Sequence, residues 1–366
     1  MPSAMRVELC SLDPDIVRTR LELGMIQRLR SCLGAGWTVG APDYARTSAA
    51  LEVDAWLGAL TTEARVERVT DEARRVLGVD REVEVHPTSE RLAAAHRTEG
   101  GPLVVSLHWR ALAGLDDDAL LAVIGHELGH HLAHNGARPD GPDPRLVYWR
   151  LRDDRSSTIR EVAAAYSRAA ELTADRFALL ACQDLDAVLR LFSALSREGT
   201  AGEQEPADFF AACRERAEGL LARKQRASGD SHPEIPVRAF AAWLFSQSDV
   251  YHRLTGRGSA ARPLLHVDML LASLVGPSED AVRPFDEPTW MDGVGEAIYA
   301  RSGAVGSAIG DRAARLGAAL RGAPAPAPHR TEEVASDEDA SGDDPELDDL
   351  EARFAALEQR MGDGDG

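Results

Sequence analysis

The chain has 366 residues, 44% hydrophobic and 28% charged, which suits an ordinary globular protein with one large domain or two moderate ones. The formal net charge is −19, but the stretch from Thr331 to the end holds 14 acidic residues and two arginines, leaving −7 for everything before it. So mildly acidic a body gives no support to nucleic acid as a partner. Aromatic residues make up only 5%, so the core must be built from Leu, Ala and Val. The four cysteines (Cys10, Cys32, Cys182 and Cys213) are scattered, show no C-x-x-C and are expected to stay reduced.

In chain order, residues 1–60 show a mostly helical pattern with no readable chemistry. Ile16, Leu21 and Leu23 fall in an amphipathic stretch, and loops are expected around Gly34-Ala-Gly and Ala41-Pro-Asp. The opening residues hold no apolar run with a cleavage site, and a cytoplasmic location is expected. Residues 61–78 predict a helix stopped at Gly78. Residues 81–86 alternate as a short strand, and 102–107 read as another. Two placements are open for this second strand. At a sheet edge, its free backbone groups could pair with an extended peptide; in the interior, they would already be paired.

Leu115 ends an apolar stretch, and Asp116, Asp117 and Asp118 then offer an N-cap and an acidic first turn. Asn135-Gly136 offers a left-handed stop, so a helix of about 17 residues is predicted between them. Leu121, Ile124, Leu128 and Leu132 stripe one face of it. Roughly opposite lie His126 and His130 of the sequence HELGH, a match to H-E-x-x-H. Residues four apart on a helix share a face, with Cβ atoms about 5–6 Å apart, so both imidazoles can reach one divalent ion. Glu127 lies about 100° around the helix, close enough to act on a water held by that ion. The blander alternative is a surface helix with histidines on its wet face.

Residues 137–156 form a polar insert rich in Pro and Arg, either a lid or a surface excursion. Residues 157–182 predict a long helix in which Glu171 and Asp175 again stand four apart. A catalytic zinc needs a third protein ligand and an open fourth position. Glu171 can supply that ligand. Asp175 can accept a hydrogen bond from the far ring nitrogen of a ligand histidine. Taken alone, both would read as solvated carboxylates. Further helices are predicted at 184–198, 206–226 and 236–255. Before the last, Ser231-His232-Pro233 makes a restrained loop, with Pro236 opening the helix. His232 could donate to an oxyanion, approach the metal as a fourth ligand, or cap a neighbour.

Residues 257–322 read as helical, glycine-rich and packed on the core. Their longest apolar stretch, Pro263 to Val275, contains His266 and Asp268 and falls far short of the ~20 residues that cross a bilayer. Residues 322–328 form a Pro/Ala linker, and an acidic tail of disordered composition follows. Within the tail, Leu347, Leu350, Phe354, Leu357 and Met361 follow an a/d spacing after the cap Asp344-Pro345. Residues 344–361 therefore either dock on a partner or on the body of the protein, or form only a transient helix.

HELGH at 126–130, ELTAD at 171–175 and HPEIPVR at 232–238 together resemble the HtpX/CAAX-prenyl-endopeptidase family of zinc metallopeptidases, within the gluzincins. The stretch from Leu103 to Leu112, and the acidic turn after it, is also similar. The resemblance covers roughly residues 75–250. It implies an α+β, predominantly helical fold: a zincin-like metalloprotease core with a small sheet and an HExxH active-site helix. It also implies one Zn2+ per chain held by His126, His130 and Glu171, with Glu127 as catalytic base. Asp175 takes a support role and His232 an active-site role, with Arg238 nearby. The implied function is a zinc-dependent endopeptidase hydrolysing peptide bonds of a peptide or protein substrate. Many family members carry transmembrane helices around these motifs; this chain shows none, which points to a soluble branch. Together with the patterns along the chain, the expected division is a helical region at 1–60, the peptidase domain at 61–256, a helical extension at 257–322, and the linker and tail at 323–366. Two other readings use the same residues. One is a latent protease with His232 as fourth ligand. The other is a non-catalytic zinc-bound scaffold, against which the intact Glu127 argues.

Overall fold

A computed structural model describes residues 6–9, 12–34, 37, 60–88, 94–97, 102–108, 115–134, 142–196, 205–227, 231–258 and 262–277, all within one compact unit, Met1–Asp286. The Ala41-Pro-Asp loop, the Asn135-Gly136 stop, the linker and the 344–361 segment lie outside the described residues. The described residues are predominantly helical with one small sheet. Two N-terminal helices, α1 (Pro14–Val17) and α2 (Arg20–Leu33), precede α3 (Leu60–Leu77). The strands β1 (Val83–Thr88), β2 (Ala94–Arg97) and β3 (Leu103–His108) come next. Then follow α4 (Asp117–Ala133), α5 (Pro144–Leu151), α6 (Ser157–Cys182) and α7 (Leu185–Ser196). The last are α8 (Pro206–Ala222), α9 (Ile235–Ser246), α10 (Asp249–Thr255) and α11 (Leu264–Val275). No helix among the described residues is long and apolar enough to cross a membrane.

The sheet order is β1-β3-β2, with β3 parallel to β1 and antiparallel to β2. The edge placement considered for the 102–107 strand is therefore wrong. Leu103, Val105 and Leu107 of β3 are buried, and both backbone edges of the strand are paired. An alternating, β-branched strand belongs in the interior, where its apolar face is covered. β2 was not expected from the sequence. Its residues Ala94-Ala-His-Arg carry no β signal, and pairing along β3 imposes the extended form.

Two other expectations change in detail. The polar insert contains α5, capped by the Asp143 carboxylate and anchored by buried Pro144, Val147 and Leu151 against α6. The expected single helix at 236–255 is two, because the Ser248 hydroxyl caps a new start at Asp249.

α4 and α6 make the most extensive helix–helix contact of the fold. Two glycines on α4 permit it. A Cβ on Gly125 would lie 2.4 Å from Ala181 Cβ, and one on Gly129 would lie 2.7 Å from Phe177 Cβ. Only bare backbone at both positions lets the helices approach closely, and that approach brings the 126–130 and 171–175 stretches together. The acidic start of α4 is held firmly as well. Asp116 accepts from its own Ala119 N–H, Asp117 pairs with Arg65 and Arg68 at 2.5 Å each, and Asp118 pairs with Arg6. The first turn is thus fixed from three directions, which sets the rotation of the helix and the direction in which its histidines point.

α6 is the central post, buried along most of its length. The flanking regions dock on it. Arg176 of α6 donates to the Val17 carbonyl at 3.0 Å and pairs with Asp268 of α11, and the second oxygen of Asp268 accepts from the Arg20 N–H at 3.0 Å. Arg168 donates to the Val275 carbonyl at 3.0 Å. Residues before 60 and after 257 thereby share the core with the helices that carry the motifs.

Candidate metal centre

α4 is enclosed on nearly every side, so the surface-helix alternative fails: His126, Glu127 and His130 are all buried. From α6, Glu171 reaches the same point. Its two oxygens lie 3.5 Å from His126 Nε2 and 3.5 Å from His130 Nε2, and one donor atom from each of the three residues falls within 4.8 Å of the others. The two imidazoles meet edge to face, with centroids 4.8 Å apart. This buried His126–His130–Glu171 group could bind a metal ion.

The environment prepares it for a cation. His126 Nδ1 lies 2.9 Å from Asp175 Oδ1, and both Asp175 oxygens accept from Arg238, Oδ2 from Nε at 2.8 Å and Oδ1 from Nη2 at 2.6 Å. Asp175 can only accept, so the proton of this contact sits on His126 Nδ1, and Nε2, which faces Glu171, is the nitrogen left for a metal. Burial and the Arg238 charge disfavour protonation of His126, but the Asp175 and Glu171 carboxylates outweigh them and hold its pKa at about 9 without metal. Burial pushes the His130 pKa down. It pushes Glu171 the other way, yet His232, His126 and His130 together hold that carboxyl well below its usual range. Asp175 is likewise lowered, with Arg238 outweighing its burial. An ionised carboxylate beside two imidazoles is donor chemistry that suits a divalent metal ion.

Glu127 supplies an independent sign. Its Oε2 is buried and has no hydrogen-bond partner among the described residues. Buried carboxylate oxygens are nearly always satisfied, so this one has capacity for a partner beyond the described residues.

The ring of His232 is 45% exposed and sits at the rim, not among the three donors. Its Nε2 is 3.3 Å from Glu171 Oε1, and its Nδ1 is 2.8 Å from the Ser231 hydroxyl. Facing an ionised carboxylate, Nε2 must carry the proton, with Nδ1 accepting from Ser231. That tautomer makes Nε2 a donor. Arg238 also faces Glu171 at 3.7 Å, and its guanidinium stacks over Phe192.

Two residues of this centre were missed. His134 follows His130 by one further turn, so the spacing of four runs His126, His130, His134, a repeat present in the sequence itself. Its ring packs at 5.5 Å from that of His130. Glu22 of α2 has no sequence signal at all, yet it is completely buried with an oxygen 3.1 Å from His134 Nε2.

Comparison of the chain with protein-family models, curated proteins and solved structures found no match.

Proposed function

We propose that this chain is a zinc-dependent endopeptidase with a zincin-like core, related to the HtpX/CAAX-prenyl-endopeptidase family its motifs resemble. One observation carries the reading: His126, His130 and Glu171 converge on a single point inside the protein, and the next residue to His126, Glu127, has a buried oxygen without a hydrogen-bond partner among the described residues. Two nitrogens and one oxygen match zinc sites that hydrolyse amide bonds.

A bound zinc would supply a Lewis acid and a water acidified for attack. Glu127 takes the proton of the attacking water and passes it to the departing amine. His232, as an Nε2–H donor at the rim, offers a hydrogen bond to the oxyanion that develops on the peptide carbonyl. Asp175, clamped by Arg238, keeps the His126 lone pair aimed at the ion. The outer edge of β2 has no strand partner among the described residues, and β2 packs against α4. Strand addition at that edge would align an extended peptide substrate.

The test is metal analysis combined with peptide-library cleavage, with and without chelator. Glu127→Gln should bind zinc as the parent does and lose at least about 10²–10⁴ in turnover. Native protein without stoichiometric metal, or full turnover in that variant, rejects the proposal.

A further inference from the structure

His126 has Asp175 and Arg238 behind it, whereas among the described residues no carboxylate touches the far nitrogen of His130. What meets it is another histidine: His130 Nδ1 is 3.4 Å from His134 Nδ1. Behind His134 lies Glu22 Oε1, 3.1 Å from Nε2. The contact is bent away from a straight hydrogen bond, and no other group among the described residues partners that nitrogen. Glu22 itself is immobilised. Arg18 donates to its Oε1 from Nε at 2.8 Å and from Nη2 at 2.5 Å, and the Thr173 hydroxyl donates to its Oε2 at 2.7 Å. Arg18, Glu22 and His134 are all buried. The His134 ring is further boxed by Tyr166, with centroids 6.5 Å apart at 88°.

We propose that His134, oriented by Glu22, is a positioning residue for His130: it accepts the His130 Nδ1–H and so fixes the tautomer whose Nε2 faces the metal. The inference rests on the metal-site reading above. Given that reading, the proton order along the chain has one solution. A His130 that ligates through Nε2 carries its proton on Nδ1. That proton needs an acceptor, and the atom in reach is His134 Nδ1. His134 then holds its own proton on Nε2, facing Glu22, the carboxylate within reach among the described residues. A histidine thus extends the reach of a carboxylate that α2 sets too far away to touch the ligand itself. Outer partners of this kind make the ligand more basic and hold its ring in the coordinating pose. The consequence is architectural: α2, from a region with no legible chemistry, becomes part of the metal centre.

The first test uses the unaltered full chain labelled with 15N in its histidines and loaded with zinc. Imidazole nitrogen shifts and long-range 1H–15N couplings report the protonated nitrogen of each ring. His126 and His130 should show ligated Nε2, and His134 a proton on Nε2. If the Nε2 shifts of His126 and His130 do not move on loading, the metal reading fails and the inference falls with it. If they move while His134 carries its proton on Nδ1, the inference alone is overturned.

The second test compares two substitutions by competition against a chromogenic chelator. His134→Asn keeps an acceptor near the position of Nδ1, whereas His134→Phe fills the ring space without one. The Phe variant should lose about 10–100-fold in zinc affinity, and Asn should recover much of that loss. A purely space-filling role predicts the opposite order, and a Phe variant binding zinc as tightly as the Asn variant overturns the proposal.

Discussion

The two histidines of the candidate metal centre are held in different ways. On the His126 side, the supporting carboxylate lies one helical turn beyond Glu171, on the same helix, and Arg238 clamps both of its oxygens. On the His130 side, the carboxylate comes from α2 and acts through a second histidine, with its oxygens shared among Arg18, Thr173 and His134. The first arrangement depends strongly on one arginine. The second spreads the same task over more partners, so losing any one of them should do less harm.

The largest effect follows from this. Arg238→Met leaves Asp175 buried with only His126 beside it. Removing one partner of a buried ion pair costs about 3–5 kcal/mol, which urea unfolding of the metal-free protein should register. Arg18→Met should cost less, because Glu22 keeps the Thr173 hydroxyl and the His134 contact. Equal losses in the two variants would break the comparison.

The same contrast explains what could be read from the sequence. HELGH and ELTAD were legible because a helix turns a spacing of four into a shared face, whatever the rest of the chain does. Arg238 came only through resemblance, since nothing local marks it as the clamp of Asp175. Glu22 was illegible because its partners meet it by tertiary packing alone. His134 lay between these cases: its spacing was readable, but its meaning depends on Glu22. Gly125 and Gly129 were also readable as a spacing of four, and the close helix crossing they allow appears only once Phe177 and Ala181 are opposite them. β2 shows the limit from the other direction, a strand created by its neighbour and not by its own residues.

A pH titration of stability probes both sides next, with an acid limb that Glu22 shares with the lowered Glu171 and Asp175. Burial disfavours ionisation of Glu22, but His134 and Arg18 overcome it and hold the carboxyl at about 2, below its ordinary 4.5. A depressed carboxylate stabilises the fold above its unfolded value, and this is lost as pH falls from about 4.5 toward 2. His126 is raised from 6.5 to about 9 in the metal-free protein, so its contribution is complete below 6.5 and is lost as pH rises through 9. Each limb is on the order of 3 kcal/mol. Metal-free protein should therefore melt highest between about pH 4.5 and 6.5. With zinc bound, the alkaline limb from His126 should disappear, because ligation replaces the proton. An alkaline limb unchanged by zinc would detach His126 from the metal.

Gly129→Ala acts on both sides at once, since α6 carries Glu171 and Asp175 together. The added methyl meets Phe177 Cβ at 2.7 Å, and neither atom is the free end of a flexible chain. Overpacking of this kind costs about 1–3 kcal/mol. The helices must part slightly, so zinc affinity should fall along with stability. Lower stability with unchanged affinity would show that the centre tolerates a wider crossing.

The smallest effect on stability belongs to His232, which touches both the candidate reaction and the solvent. Its ring is 45% exposed, so His232→Ala should change unfolding by no more than about 0.5 kcal/mol and leave both supporting arrangements intact. Its effect on turnover decides between the roles open to it. As an Nε2–H donor it stabilises charge that develops only in the transition state, so its loss should lower kcat and kcat/KM together. As a fourth ligand it would hold the enzyme latent, and its removal would raise turnover and weaken zinc binding. The carboxylate of Glu171 asks for a proton on His232 Nε2, and the Ser231 hydroxyl can accommodate that tautomer, which favours the donor, so the expected result is a lower kcat with zinc affinity unchanged.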